Sequence, residues 1–119
     1  MEAVLKGLHS ADIDVETYVP DEEDNFGFVL QAMVGPMDEQ GAESFDITVC
    51  TPKWLAGRYG TSEILLGLHK LIVFRYDYVR LRQFIEKYLA RCSDDSWDKV
   101  AHKIGLLGQW EFEGYRSTP

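Results

Sequence analysis

The sequence predicts an α+β fold, in which an antiparallel β-sheet of four to five strands is covered by two C-terminal helices. Two segments with alternating apolar residues, 26–34 and 44–50, lie in the first half of the chain. Two segments with apolar residues at helical spacing follow at 77–92 and 96–105. Strands that precede helices in this way are typical of an α+β arrangement. The chain of 119 residues has no linker or low-complexity tract, so we expect a single domain over residues 1–119.

The first half of the chain supplies most of the predicted strands. Residues 3–8 form a short segment with β propensity, and the acidic stretch after it contains Pro20 and reads as a loop. The apolar face of the next predicted strand consists of Phe26, Phe28, Leu30, Ala32 and Val34. Gly35, Pro36 and Gly41 predict a hairpin loop over 35–43, which leads into a strand with Phe45, Ile47 and Val49 facing the core. These two strands are expected to pair antiparallel.

A short helix and two further strands are predicted around the helical half of the chain. Thr51 can cap a helix over 51–60, with Pro52 at its first position. The apolar run 71–74 predicts a central strand that is buried on both faces. At the C-terminal end, the alternation in 109–115 indicates a last strand.

Two helices are predicted from strong local signals. Asp77 caps the first helix, which is expected to pack on the sheet through Leu81, Phe84, Ile85, Tyr88 and Leu89. The apolar face of the second helix consists of Trp97, Val100, Ala101 and Ile104, and Gly105 is placed to end it. Leu81 and Phe84 are expected to be core residues that join the long helix to the sheet.

The charge of the protein is unevenly distributed. Residues 1–52 carry twelve acids and one base, for −11, whereas residues 53–119 carry eight acids and eleven bases, for +3, which gives the net −8. Seven carboxylates fall within residues 12–25, and no base occurs between Lys6 and Lys53. A solvated loop that keeps the protein soluble is the simplest interpretation. The position of the acidic loop between two predicted strands favours instead a surface that binds a basic partner. Its negative charge would repel nucleic acid and anionic membranes.

Catalytic and metal-binding patterns are weak. Asp12, Asp14, Glu16 and Glu23 match four ligand positions of a calcium-binding loop, but Thr17 stands where that loop needs glycine. The three histidines are isolated from one another and from the cysteines, which gives a zinc site no support. No phosphate-binding glycine loop or nucleophile elbow occurs. We therefore expect no enzyme activity, no cofactor and no metal.

The compartment is predicted from two observations. The first ten residues lack a basic region followed by an apolar one, and the longest apolar stretch, 64–74, is interrupted by His69 and Lys70. Cys50 and Cys92 lie far apart inside patterned segments, as reduced and buried thiols do. A cytoplasmic protein without a membrane span is expected.

Several stretches, in their order along the chain, resemble the immunity protein 8 family of bacterial polymorphic toxin systems. They are KGLHSADI with the acidic loop, NFGFVLQAMVGP, ESFDITVCTPKWL, HKLIVFRYDYVRLRQFIEKYL, CSDDSWDKVAHKIG and QWEFEGY, over about residues 4–115. The resemblance implies a non-enzymatic protein that binds and neutralises a cognate toxin. Many toxins of such systems are nucleases with basic clefts, which an acidic surface can cover. The resemblance supplies no binding residues that could be carried over.

The candidate toxin-binding residues follow from charge and aromatic content. They are Asp12, Asp14, Glu16, Tyr18, Asp21, Glu22, Glu23, Asp24 and Trp54. The carboxylates would steer a basic toxin, and the aromatic residues would serve as desolvated anchors. Trp54, in the short helix between strands, is the tryptophan most expected to be partly exposed. The alternative function is an acidic protein-interaction module, or a nucleic-acid mimic, in an assembly without a toxin.

Overall fold

The computed structural model describes residues 1–112 as a five-stranded sheet with three helices, which confirms the α+β class. The elements in chain order are β1 (Ala3–His9), β2 (Gly27–Pro36), β3 (Glu43–Cys50), α1 (Pro52–Tyr59), β4 (Lys70–Ile72), α2 (Tyr78–Ala90), α3 (Trp97–Ile104) and β5 (Gln109–Trp110). The predicted last strand is thus present at its first two residues, and positions 113–115 lie outside the described residues. No helix among residues 1–112 is long and apolar enough to cross a membrane.

The sheet is mixed rather than purely antiparallel. Its order is β1-β2-β3-β4, and β5 also pairs with β3. The β1–β2 and β2–β3 pairs are antiparallel, whereas β4 runs parallel to β3. This orientation arises because the chain leaves β3, passes through α1 and returns in the same direction, which is a crossover rather than a hairpin. β4 pairs with residues 48–50 of β3 and β5 pairs with residues 45–46, so both lie along one side of β3.

The alternation in β2 and β3 positions the core as predicted. Leu30 lies opposite Ile47 and Ala32 lies opposite Phe45, and all four side chains are almost fully buried. The alternate residues of β3 lie on the other face, where Asp46 is exposed. One face of the sheet therefore packs against the helices, as the period of two residues requires.

The three helix starts are confirmed. The side chains of Thr51, Asp77 and Ser96 each accept a hydrogen bond from the backbone N–H three residues on. Thr51 also links α1 to the residue before β2, because its buried Oγ1 accepts a hydrogen bond from the N–H of Phe26 at 3.2 Å. Gly60 caps the C-terminal end of α1 with a φ of 79°, a left-handed conformation that glycine adopts without strain.

The prediction of a buried central strand over 71–74 was wrong. β4 has only three residues and lies at an edge, and Ile72 and Phe74 are 52% and 77% exposed. An apolar run predicts a strand, but it does not show whether one face or both faces of that strand are buried. Here the core covers Leu71 and Val73 only partly, and the alternate residues face outward.

The predicted buried face of α2 was too wide. Leu81, Ile85 and Leu89 are buried, at successive intervals of four residues. Phe84 is 53% exposed, so its assignment to the core was wrong. A residue one position before Ile85 is rotated by about 100° around the helix. That rotation turns Phe84 away from the sheet, toward the segment that follows β4.

Candidate functional site

The loop between β1 and β2, residues 10–26, is fixed to the body of the protein by aromatic rings. Tyr18 contacts Phe26, Phe28 and Tyr76 edge-on, at centroid distances of 6.0, 5.5 and 5.3 Å. Tyr76 makes similar contacts with both phenylalanines. These four residues are called the aromatic cluster below. Tyr18, named above as an anchor for a toxin, is half-buried in this cluster and supports the loop from beneath.

Tyr76 adds a polar contact to the same loop. Its hydroxyl donates a hydrogen bond to the backbone carbonyl of Val15, which is itself buried. Burial is the largest cause that raises the pKa of Tyr76 to about 12, and neighbouring tyrosines and Asp14 raise it further. The hydroxyl therefore stays protonated and can donate at neutral pH.

Two of the candidate carboxylates organise the loop. Asp12 Oδ2 accepts a hydrogen bond from the N–H of Val29 at 3.2 Å. Val29 lies beyond the last β1–β2 pair, His9 with Gln31, so Asp12 satisfies a backbone donor that β1 leaves unpaired. Asp14 Oδ1 accepts from the N–H of Glu16 at 3.1 Å, which closes a local turn. All three acidic side chains are exposed at the surface.

The four consecutive acids Asp21–Asp24 form an exposed corner, called the acidic turn below. Lys53 Nζ lies 3.6 Å from Glu22 and 3.8 Å from Asp24, and Arg75 lies 2.9 Å from Glu23. The sequence shows no base near these acids, but the fold brings two bases from the second half of the chain against them. All five of these side chains remain more than half exposed, so the pairs are screened by water and contribute little to stability.

Trp54 lies next to the acidic turn, beyond Lys53 on α1. Its indole covers Gly27, where a Cβ atom would come within 2.3 Å of the ring. It also meets Tyr59 edge-on at 6.4 Å. The side chain is half-buried, so part of it is accessible. All nine candidate residues thus lie on the β1–β2 loop or at the start of α1, which the Lys53 ion pairs connect.

An exposed apolar surface was missed by the sequence reasoning. Phe74 and Phe84, assigned there to the interior, are 77% and 53% exposed. In the α1–β4 connection, Ile64 and Leu66 are 98% and 82% exposed. The available signal was the stretch 64–68, ILLGL, which is apolar but has neither helical nor strand period. Phe74 and Phe84 line a common groove, and a contiguous exposed apolar area of this kind is typical of a surface that binds another protein.

Residues 1–112 contain no metal-ligand cluster, and both cysteines are buried. No three histidine, cysteine, aspartate or glutamate side chains gather there as metal ligands would. Cys50 and Cys92 are buried free thiols, and burial is the main cause that raises the pKa of each. A thiol with a raised pKa is a poor nucleophile at neutral pH. What the described surface provides is charge and exposed apolar side chains.

A comparison with protein-family models identifies the kind of protein to which this surface belongs. The model of immunity protein 8 matches residues 3–115, nearly the whole chain. The chain belongs to the immunity protein 8 family. Membership of this family implies a toxin as partner and a non-enzymatic inhibitory role. Comparison with curated proteins and with solved structures gives no match.

Proposed function

We propose that this immunity protein neutralises a cognate polymorphic toxin with nuclease activity by covering its basic cleft with the surface at residues 12–24 and Trp54. The observation that carries the proposal is the acidic turn. Four consecutive carboxylates project from a loop that the aromatic cluster and the Tyr76–Val15 hydrogen bond hold in place. Family membership supports a toxin as the partner, and the negative charge of this surface supports a toxin with a basic cleft.

Fixing the loop matters for affinity. A flexible acidic loop would lose conformational entropy on binding, whereas a loop already held by packing loses less. The buried Val15 and the half-buried Tyr18 limit the movement of the residues that precede the acidic turn. The carboxylates can therefore meet a basic cleft as a preformed surface.

The charge supports a nuclease as the target. A nuclease cleft binds phosphates through basic side chains, and closely spaced carboxylates present a comparable pattern of negative charge. Complementary charge also accelerates association, to as much as about 10⁸–10⁹ M⁻¹s⁻¹ at low salt. In this proposal the protein acts in the cytoplasm, against a toxin delivered by cell contact, where the buried thiols of Cys50 and Cys92 stay reduced.

The test replaces the acidic turn with neutral isosteres. The variant carries Asp21→Asn, Glu22→Gln, Glu23→Gln and Asp24→Asn, and its partner is the toxin C-terminal domain encoded directly upstream of the immunity gene. Association and dissociation rates are measured by surface plasmon resonance at two salt concentrations. We expect slower association and a weaker salt dependence, because the steering charge is gone.

A matched control has the same change in net charge at another place. Glu2→Gln, Asp38→Asn, Glu39→Gln and Asp46→Asn neutralise four exposed acids away from the acidic turn. Glu2, Asp38 and Glu39 lie near the β1–β2 pair Ala3–Pro36, at the opposite end of β2 from the acidic turn. We expect this control to change the association rate much less. Equal rates for the two variants would show that net charge, and not the acidic turn, guides the encounter.

A further inference from the structure

A groove runs between α2 and the segment that contains β4 and the residues after it. Its volume is about 540 Å³. Leu71 and Leu81 lie at its base, and the exposed rings of Phe74 and Phe84 lie along it. Ile72, 52% exposed, extends the apolar surface at the edge of the sheet. Such a surface is costly to leave in water.

The groove has a basic rim in a protein of net charge −8. Arg75, Arg80 and Lys87 line it. Asp77 is the one acid among its lining residues, and its Oδ1 accepts a hydrogen bond from the N–H of Arg80 at 3.1 Å as the cap of α2. This carboxylate is therefore committed to the helix end. A ligand of the groove should combine apolar side chains with negative charge, which is unlike the basic cleft of a nuclease.

The same chain presents that combination. Val19 is 82% exposed, and the acidic turn follows it after Pro20. An apolar side chain beside four carboxylates matches a groove of apolar walls with three cations at its rim. The two surfaces are also adjacent, because Arg75 of the rim pairs with Glu23 of the turn at 2.9 Å within one copy.

We propose that the occupant of the groove is a second copy of this chain, in a reciprocal dimer in which Val19 and the acidic turn of each copy bind the groove of the other. Because turn and rim touch within one copy, a two-fold axis beside that contact brings each turn to its partner's groove. A two-fold interface uses the same patch on both subunits, which requires a patch that complements itself. The basic rim and the acidic turn satisfy that requirement.

The dimer has a consequence for inhibition, and this step alone rests on the proposed function. Dimerisation covers the acidic turn, which is also the surface proposed for the toxin. The two interactions then exclude one another, so the monomer is the form that captures the toxin. Dimerisation itself is measured without any toxin, and its failure is therefore distinguishable from failure of the proposed function.

The experiment is sedimentation velocity of the full chain over a range of concentrations, with two charge-reversed variants. One variant carries Arg80→Glu and Lys87→Glu in the groove, and the other carries Asp21→Lys and Glu22→Lys in the turn. We expect the unmodified protein to form a dimer that weakens with added salt. Each variant alone should dimerise at least about tenfold more weakly, since like charges then meet at both contacts.

The decisive sample is an equimolar mixture of the two variants. In a mixed dimer the lysines of one turn meet the glutamates of one groove, and the native turn meets the native groove. We expect dimerisation to return in the mixture, which misfolded variants could not produce. The proposal is overturned if the unmodified protein is monomeric at every concentration, or if the mixture dimerises no better than its components. A monomeric protein whose groove variant loses toxin binding would assign the groove to the toxin.

Discussion

At the residue scale, Leu81 and Phe84 show what side-chain type alone leaves undetermined. Both are large and apolar and lie within one turn of α2, yet Leu81 is 6% exposed and Phe84 is 53% exposed. The helical period predicts that one stripe is buried, but the width of the stripe depends on the surface beneath the helix. That surface is formed by strands distant in sequence, so the sequence pattern could locate Leu81, Ile85 and Leu89 but not the limit of the stripe.

This difference gives a direct prediction for stability. Leu81→Ala should lower the free energy of unfolding by about 2–5 kcal/mol, because it removes buried methyl groups and leaves a cavity. Phe84→Ala should lower it by less than about 1 kcal/mol, because much of the ring is already in water. Urea unfolding followed by circular dichroism measures both variants. Similar large losses for both would place Phe84 in the core after all.

At the element scale, the elements with a clear local sequence pattern were predicted correctly. The edge position and the parallel pairing of β4 were not, because they depend on contacts between segments distant in sequence. β2 and β3 alternate between core and surface, and α1 and α2 begin at the capping residues Thr51 and Asp77, all of which are visible in short stretches. β4 has an apolar run without alternation, which fits a buried strand and an edge strand equally. Its parallel pairing with β3 depends on the path through α1, which the local sequence does not specify.

Tyr76 is one of the residues that hold the β1–β2 loop in place. Tyr76→Phe keeps the ring in the aromatic cluster but removes the hydroxyl that binds the Val15 carbonyl. We expect stability to fall by about 0.5–1.5 kcal/mol, the usual contribution of one hydrogen bond. Amide hydrogen exchange should accelerate over residues 12–19. Tyr59→Phe, at an exposed tyrosine of α1, is the matched control and should leave that exchange unchanged.

The pH dependence of this contact has a definite sign. The pKa of Tyr76 is raised in the fold from 10.0 to about 12, so the neutral hydroxyl is the stabilised form. Its contribution is complete below pH 10 and is lost as the pH rises toward about 12. The stability difference between the protein and Tyr76→Phe should therefore shrink over that interval. A difference that stays constant through it would mean that the hydroxyl is not the group that holds the loop.

At the scale of the whole molecule, the sequence predicted where the negative charge is but not what lies beside it. No base separates the eleven acids between Lys6 and Lys53 in the sequence, so a charge count treats these acids as unopposed. The fold places Lys53 and Arg75 against the acidic turn, because α1 and the residues after β4 both border the β1–β2 loop. These cations reduce the field that a basic toxin would meet. The acidic residues of the candidate site could thus be predicted from the sequence, but the partial neutralisation of their charge by cations distant in sequence could not.

The reduction in field can be measured with a pair of lysines. Lys53→Gln removes a cation beside Glu22 and Asp24. Lys99→Gln, in α3, removes a cation beside Asp95, which lies just before that helix. The two lysines are 59% and 60% exposed, and each variant changes the net charge by one unit. Neither should alter the free energy of unfolding by more than about 1 kcal/mol, as expected of exposed ion pairs.

Only Lys53→Gln makes the acidic turn more negative, so only this variant should accelerate association with a basic toxin at low salt. The gain should disappear at high salt, where charges beyond about 3–10 Å are screened. Equal acceleration by Lys99→Gln would trace the effect to net charge, and slower association of Lys53→Gln would mean that Lys53 itself contacts the toxin.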